Sequence, residues 1–480
     1  MELQNLAILD GIMTPKPQPM DRFELFRSHF DQILNQNHEL IALAGKIDWP
    51  RFDAAFAECY VENMGAPGKA IRLMVGLHYL KHMFNESDES VVARWVENPY
   101  WQAFCGFTHM RHECPCHPTA MVKWRKRVGA DRLNMLLEET IAMARGQGHV
   151  SNHELRQVTV DTTVQDKNIT HPTDAKLLYR SIEKLVKFAK ARKIKLRQTY
   201  LRVGKKAMVK ASRYAHAKQW RRMRRKLKFL RTRLGRLIRD IRRNAETIDS
   251  ELATLLERAE RIMKQQPKDK NKLYSLHEPE TKCISKGKAR VRYEFGQKVS
   301  VATTNRGDWI LACELMEDNP YDGHTLGATM QAVERNIGLE VANAYVDKGY
   351  RGHDYVGQAT VHIAGTSRRK LTRTEKARRK RRSAIEPKIG HLKQDHRMGR
   401  CFLKGLAGDA INATLAAAGA NLRKLLNLEA AALRRFLCAL LEWLYCDRNH
   451  VLVAFSRRSQ ANLPRDHNAI SPPPLAVSAA

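Results

Sequence analysis

Residues 156–164, RQVTVDTTV, set Val158, Val160 and Val164 in alternation with polar side chains. A period of two sends successive side chains to opposite faces of an extended chain, so this stretch is expected to be a strand with Asp161 near its end. Everything before it has a different period. GKAIRLMVGLHYLKHMF (68–84) carries Leu73, Leu77, Leu80 and Phe84 four, three and four apart, the stripe of an amphipathic helix. SDESVVARWVENPYWQAFCG (87–106) opens on helix-start residues and stops at Asn98-Pro99. PTAMVKWRKRVGADRLNMLLEETIAMA (118–144) begins at a proline and brings Lys123, Arg125, Lys126 and Arg127 together. Short helices with a basic final member suit a helix-turn-helix-like DNA reader, and an all-helical packing domain with a solvated basic face fits the same pattern. The chain is therefore expected to be helical to about residue 150 and to contain a sheet after it.

A second helical block comes soon after the strand. From Trp220 to Ile262 apolar residues recur mostly three and four apart, through Leu227, Leu234, Ile241, Leu252 and Leu255. This heptad seam predicts one arm of an antiparallel helical hairpin whose other arm lies around 176–200. Between Lys176 and Arg243 stand 27 lysines and arginines against two acids, Glu183 and Asp240, so +25 of the chain's +34 lies in 68 residues. Such a field draws polyanions, because each phosphate neutralised releases condensed counterions. Nucleic acid is the expected partner, with Arg221, Arg222, Arg224 and Arg225 as candidate contacts; a dimerisation arm with solvated charges is the other reading.

Strand signals then return. FGQKVSVATT (295–304) and WILACELM (309–316) flank NRGD, a hairpin turn by composition. A helix is expected over about 324–336, then a strand in EVANAYVDKGY (340–350) ending at Asp347, a short strand in TVHIAG (360–365), and a basic helix holding Glu386. The order implies a mixed α/β sheet with helices packed on it. Helices are expected again in 401–448, with a largely disordered tail over 449–480.

Asp161 and Asp347 thus fall at strand ends and Glu386 on the next helix. Strand ends along one edge of an α/β sheet are where ligands collect, and carboxylates on stiff elements suit Mg²⁺, which takes few protein ligands and shares phosphate oxygens of a substrate. Two such ions would serve phosphodiester displacement. Arg382 lies four residues before Glu386 and Lys393 seven after it, on one stripe of a helix, where they could grip flanking phosphates. Ser383 and Glu386 also match a capping box with Pro387 near the helix start, so Glu386 as a cap is the competing reading.

VDTTVQDKNITHPTDAKLL, AYVDKGYRG and RRSAIEPKIGHLK together resemble the three catalytic blocks of bacterial insertion-sequence DDE transposases, in the InsH-like group. The stretch from Gly68 to about Gly129 resembles that group's N-terminal helical domain, and GDAINATLAAAGANLRKLL its C-terminal helices. The resemblance implies an RNase H-like catalytic core over 155–175 and 290–400. A partly helical lead-in (1–66) and a helical DNA-binding domain (67–150) precede it, and the basic helical hairpin (176–285) is inserted after the first core strand. It implies Asp161, Asp347 and Glu386 as a catalytic triad holding Mg²⁺, with Mn²⁺ able to substitute. It further implies cleavage and strand transfer on DNA, at transposon terminal repeats and target, by a homodimer or larger synaptic complex. Relatives carry Tyr-x2-Arg-x3-Glu-x6-Lys; here Arg379 occupies the tyrosine position. A nuclease or resolvase without joining activity and a catalytically silent DNA-binding protein are the alternatives.

HMRHECPCHP (109–118) offers histidines and cysteines, but its Cys-x-Cys spacing is poor for structural zinc and no second pair stands at finger distance. His324, in NPYDGHTL, is a candidate for orienting phosphate or simply a neighbour of a helix start. No phosphate-cradling glycine loop appears, which argues against a nucleotide cofactor. Nine cysteines form no disulfide framework, and no basic-then-apolar leader or membrane-length apolar run is present. The sequence therefore reads as cytoplasmic and nucleoid-associated, without membrane attachment.

Overall fold

The structure, a computed structural model, describes residues 28–60, 67–266, 268–285, 292–365 and 371–431; the expected tail over 449–480 lies outside them. The strand expected at 156–164 is β1 (Gln157–Asp166). It is buried on both faces, and its threonines pack inside together with its valines. Five more strands complete one sheet: β2 (Lys282–Ile284), β3 (Glu294–Thr304), β4 (Ile310–Leu315), β5 (Asn343–Val346) and β6 (Thr360–Ile363). The order is β2-β3-β1-β5-β6, with β4 also on β3. β1 and β3 run antiparallel from Val158 opposite Thr304 to Asp166 opposite Gly296. β5 is parallel to β1, and β6 to β5. The NRGD turn joins β3 to β4 with Gly307 and Asp308 at φ +88° and +54°, left-handed values that glycine meets freely and aspartate tolerates.

The helix Leu326–Ile337 packs on β3 and β4, and the helix Ile385–Asp395 packs on β1. A further helix runs over 405–431. The N-terminal helices are not a separate layer. Leu77, Trp95 and Leu136 from them, Val160, Val301 and Val346 from the strands, and Leu415 and Leu422 from the C-terminal helix belong to one continuous core. Asn134 donates to Asn336 across it at 2.7 Å. The helix expected over 118–144 is interrupted, as Gly129 adopts φ 80°, ψ 170°, and a second helix, Met135–Gly146, follows.

The insertion between β1 and β2 departs from the expected two-armed hairpin. The seam through 220–262 is broken after Asn244, because Ala245 leaves the helical region (φ −80°, ψ 120°) and Asp249 caps a new helix. Four helices, Asp174–Ala191, Leu201–His216, Trp220–Asn244 and Ser250–Lys264, close a second core around Ile182, Leu185, Leu230, Leu234, Leu237 and Leu256. Leucine repeats fit a four-helix unit as well as a hairpin, since both bury a stripe of the same period. Asp240, one of two acids in the basic tract, is buried and accepts from the Arg197 backbone N–H at 2.8 Å.

The insertion's roots are pinned to the core by one buried ammonium. Lys167, just past β1, lies 2.9 Å from Glu278, 3.1 Å from Glu280 and 2.9 Å from Asp409. Burial opposes the Lys167 charge, but these carboxylates raise its pKa, while burial pushes that of Asp409 up to about 6. Among the described residues no helix is long and apolar enough to cross a membrane.

Candidate active site

β1 and β5 are paired in parallel with Thr159 opposite Tyr345. Two residues further on stand Asp161, in the middle of β1 and not near its end as expected because the strand runs on to Asp166, and Asp347, just past the end of β5. Each thus follows the last residue paired between β1 and β5 by the same two steps, and both lie close enough to Tyr350 to act on its hydroxyl. Asp161 accepts from the Thr162 N–H at 2.7 Å, and Asp347 caps the turn Lys348–Tyr350 by accepting from the Gly349 N–H at 2.7 Å. Both carboxylates are half-buried.

A third carboxylate joins them from an element in which the sequence pattern points to a different residue, His324. Asp322, two residues before it, accepts from the Thr162 hydroxyl at 2.8 Å and from the buried Lys298 ammonium at 2.9 Å. A Cβ added at Gly349 would meet Asp347 Oδ1 at 2.9 Å and Asp322 Oδ2 at 3.3 Å, so glycine keeps open the space between two acids. The buried Tyr350 hydroxyl registers all of them: burial raises its pKa most, and Asp161, Asp322 and Asp347 raise it further. The signal that could have found Asp322 is Lys298. A lysine in a strand buried along nearly its whole length requires an anion nearby. His324 itself is exposed and packs edge-on against Tyr321.

Glu386 is not brought into that group. It is the second residue of the helix Ile385–Asp395, whose Ile385, Ile389 and Leu392 pack inward. Its side chain is 64% exposed and lies 3.7 Å from Arg382. The capping reading does not describe it either, since Ala384 is the N-cap with no side-chain cap and the Ser383 hydroxyl donates to the Lys380 carbonyl. Among the described residues no three His, Cys, Asp or Glu side chains are placed to hold a metal ion. Of the three acids expected from sequence, Asp161 and Asp347 both lie near Tyr350, and the glutamate sits on a helix packed against β1 and is paired with Arg382. Lys393 lies 3.6 Å from Glu294 at the start of β3, and Arg379 contacts His362 at 3.3 Å.

The candidate DNA contacts separate by burial. Lys123 and Lys126 are exposed and Arg127 is half-buried, beside the Tyr60 ring. Arg125 departs from the expectation: it is 2% exposed and makes two bonds to Asp88, at 2.9 and 2.6 Å. A helix places residues on opposite sides within four positions, so a basic run cannot put all four cations on one surface. Arg221, Arg222, Arg224 and Arg225 are all exposed or partly so at the start of their helix. In the His/Cys stretch, His117 caps the helix Pro118–Leu133 and burial pushes the Cys116 thiol up to about 11.

Residues 28–127 match a transposase domain family (DUF772), and residues 346–426 match the transposase DDE domain. A Rhizobium meliloti protein described as "Uncharacterized protein ORF8 in nfe locus" is 49% identical over 208 residues, which cover 43% of this chain and the whole of that relative. No solved structure matches the chain. The chain belongs to the DDE transposases of insertion sequences. The second match begins one residue before Asp347 and includes Glu386.

Proposed function

We propose that the protein binds transposon ends and, on an RNase H-like core of the InsH-like type, cleaves DNA and joins the freed end to target DNA in a reaction that requires Mg²⁺ or Mn²⁺. The observation that carries this reading is that Asp161 and Asp347 each follow the last β1–β5 pair, Thr159 opposite Tyr345, by two residues and both act on the Tyr350 hydroxyl. The sheet order, an antiparallel set β4-β3-β1 continued by the parallel β5 and β6, supports the core assignment.

The donor set beside Tyr350 fits a hard divalent ion. Asp161 and Asp347 offer half-buried carboxylate oxygens, the hard donors such an ion takes, and Gly349 keeps the space beside Asp347 open. Asp161 and Asp347 would hold the ion and Glu386 would join them when released from Arg382. When bound, such an ion would supply activation of the attacking oxygen and stabilisation of the leaving one. Lys298 and Thr162 fix Asp322 behind the pair, which holds the turn Lys348–Tyr350 in place. Arg382 and Lys393 flank Glu386 on its own side of the helix, and Lys123, Lys126, Arg127 and the four arginines Arg221, Arg222, Arg224 and Arg225 hold the DNA on either side. Joining needs two ends in one complex, which makes a homodimer or larger assembly part of the proposal.

Purified protein with Mg²⁺, a labelled end and a target plasmid tests this reading. Joined products support it, nicks alone make the protein a nuclease, and a shifted but intact substrate makes it a binder. Asp161→Asn and Asp347→Asn should abolish chemistry while end binding persists. The catalytically silent reading has one observation in its favour, the Arg382–Glu386 pair, and full retention of joining by Glu386→Gln would remove that residue from the chemistry.

A further inference from the structure

The helix Ile385–Asp395 has three flanks. One is apolar and packs inward, one carries Glu386 and Lys393, and the third presents Lys388, His391 and Asp395. The third flank lines a cleft of about 580 Å³ closed on one side by Phe84 and on the other by Arg423 and Lys424 from the C-terminal helix. The charges in it are poorly balanced. Asp395 is paired with His391 at 2.8 Å, Arg423 lies over the Phe84 ring, and Lys424 donates to the Gly307 carbonyl over the Trp309 ring. Lys388 is half-buried and lines the cleft together with Arg423 and Lys424, and among the described residues none forms a hydrogen bond or ion pair with its ammonium. A half-buried ammonium beside two further cations lacks the counter-ion that its burial calls for.

We infer that this cleft is a phosphodiester subsite, in which Lys388, Arg423 and Lys424 take the sugar-phosphate backbone of a DNA strand on the opposite side of the helix from Glu386. The inference rests on the reading that DNA is the substrate. Three cations from two helices converge on a recess, whereas the basic tract of the insertion presents its charges on an open surface. Because the helix carries Glu386 on one flank and the cleft on another, a strand seated here fixes the orientation of the carboxylate toward the strand being cut.

The test uses the full-length protein. Lys388 and Lys424 are labelled at pH 8 with an amine-reactive ester and the labelling is read by mass spectrometry, with and without a duplex carrying a candidate end. Protection of both lysines by the duplex, with Lys46 as the control lysine, is the expected result. In parallel, the salt dependence of affinity for Lys388→Gln/Arg423→Gln/Lys424→Gln should lose roughly 2.7 from its log–log slope, about 0.9 per phosphate contact. Arg423→Gln alone, which leaves Lys388 in place and spares the fold, should lose about 0.9. Unprotected lysines and an unchanged slope in a wild type that still binds DNA overturn the cleft assignment and leave the parent reading standing. Absence of DNA binding by the wild type sinks both. Protection by inorganic phosphate at millimolar concentration but not by the duplex assigns the recess to a small anion and overturns the strand reading.

Discussion

Arg125 is where a basic run and a structural role are most easily confused, and its replacement by glutamine separates them. Its guanidinium is 3% exposed and the Asp88 carboxylate 13%. The pair is held by bonds of 2.9 and 2.6 Å, with a further contact to His78 at 3.1 Å. Burial alone would raise the Asp88 pKa, but the bonds from Arg125 and the charge on Lys81 carry it well below the ordinary carboxylate value. Removing one partner of a buried pair costs about 3–5 kcal/mol, because the other charge stays behind without its counter-ion. Here Lys81 still holds Asp88 at 2.9 Å, which places the loss near the lower end, about 3 kcal/mol or roughly a hundredfold in the folding equilibrium. Lys123→Gln, on the exposed face of the same helix, should stay within about 0.5 kcal/mol. Urea unfolding of the full chain measures the first quantity, and the salt slope of DNA affinity measures the second. Arg125→Gln is expected to lower the urea midpoint and keep the slope, while Lys123→Gln should keep the midpoint and lower the slope by about 0.9. A stable Arg125→Gln variant whose slope falls like that of Lys123→Gln would refute the reasoning and return Arg125 to the DNA surface.

Other buried and exposed charges carry their own expectations. Burial holds His78 down at about 3, against 6.5 for a free side chain, and His82 and His396 shift the same way. As the pH falls below 6.5 the unfolded chain binds protons that these folded histidines refuse, so stability should drop with acidification by up to about 1.4 kcal/mol per pH unit for each. Urea midpoints at pH 7.5, 6.5 and 5.5 check this, and a flat profile would count against it. Lys167→Met leaves Glu278, Glu280 and Asp409 facing one another and should cost about 3–5 kcal/mol by the same measurement. Neutralising Arg221, Arg222, Arg224 and Arg225 together should reduce the salt slope by roughly 0.9 for each phosphate these arginines neutralise, with little change in the urea midpoint. An unchanged slope would leave the insertion a role in assembly.

Much of the sheet is legible in the sequence because its strands carry local signals. Valine alternation and a Gly-Asp turn mark β1, β3 and β4, which fall within a residue or two of the expected bounds. β2 is not foreseen, as three residues paired at the edge of β3 have no period to detect. The insertion is misjudged because a seam of leucines records what a helix buries, not how many helices share the core. Asp347 can be chosen as the residue that ends a strand, whereas Asp161, which the same reasoning selects, lies in mid-strand, because the alternation hides that β1 runs on through Gln165 and Asp166. Asp322 is harder to choose: Lys298 signals that a buried anion is needed, but which acid supplies it depends on Thr162 and Lys298 meeting it in the fold. Arg125 shows the converse: Lys123 and Lys126 on either side of it are solvent-facing, and only the packing of two helices reveals Asp88 beneath it.

The single ammonium of Lys167 bridges the point where the chain leaves the sheet, after β1, and the point where it returns, at Glu278. A detour whose departure and arrival lie within one side chain's length behaves like a cassette plugged into a socket. Excising 168–277 and closing the gap with a few glycines would ask almost nothing of the remaining backbone, since loop closure between neighbouring ends carries little entropic penalty. Lineages could therefore lengthen, shorten or exchange this arm, and with it its strongly basic surface, while the sheet that positions the aspartates stays as it is.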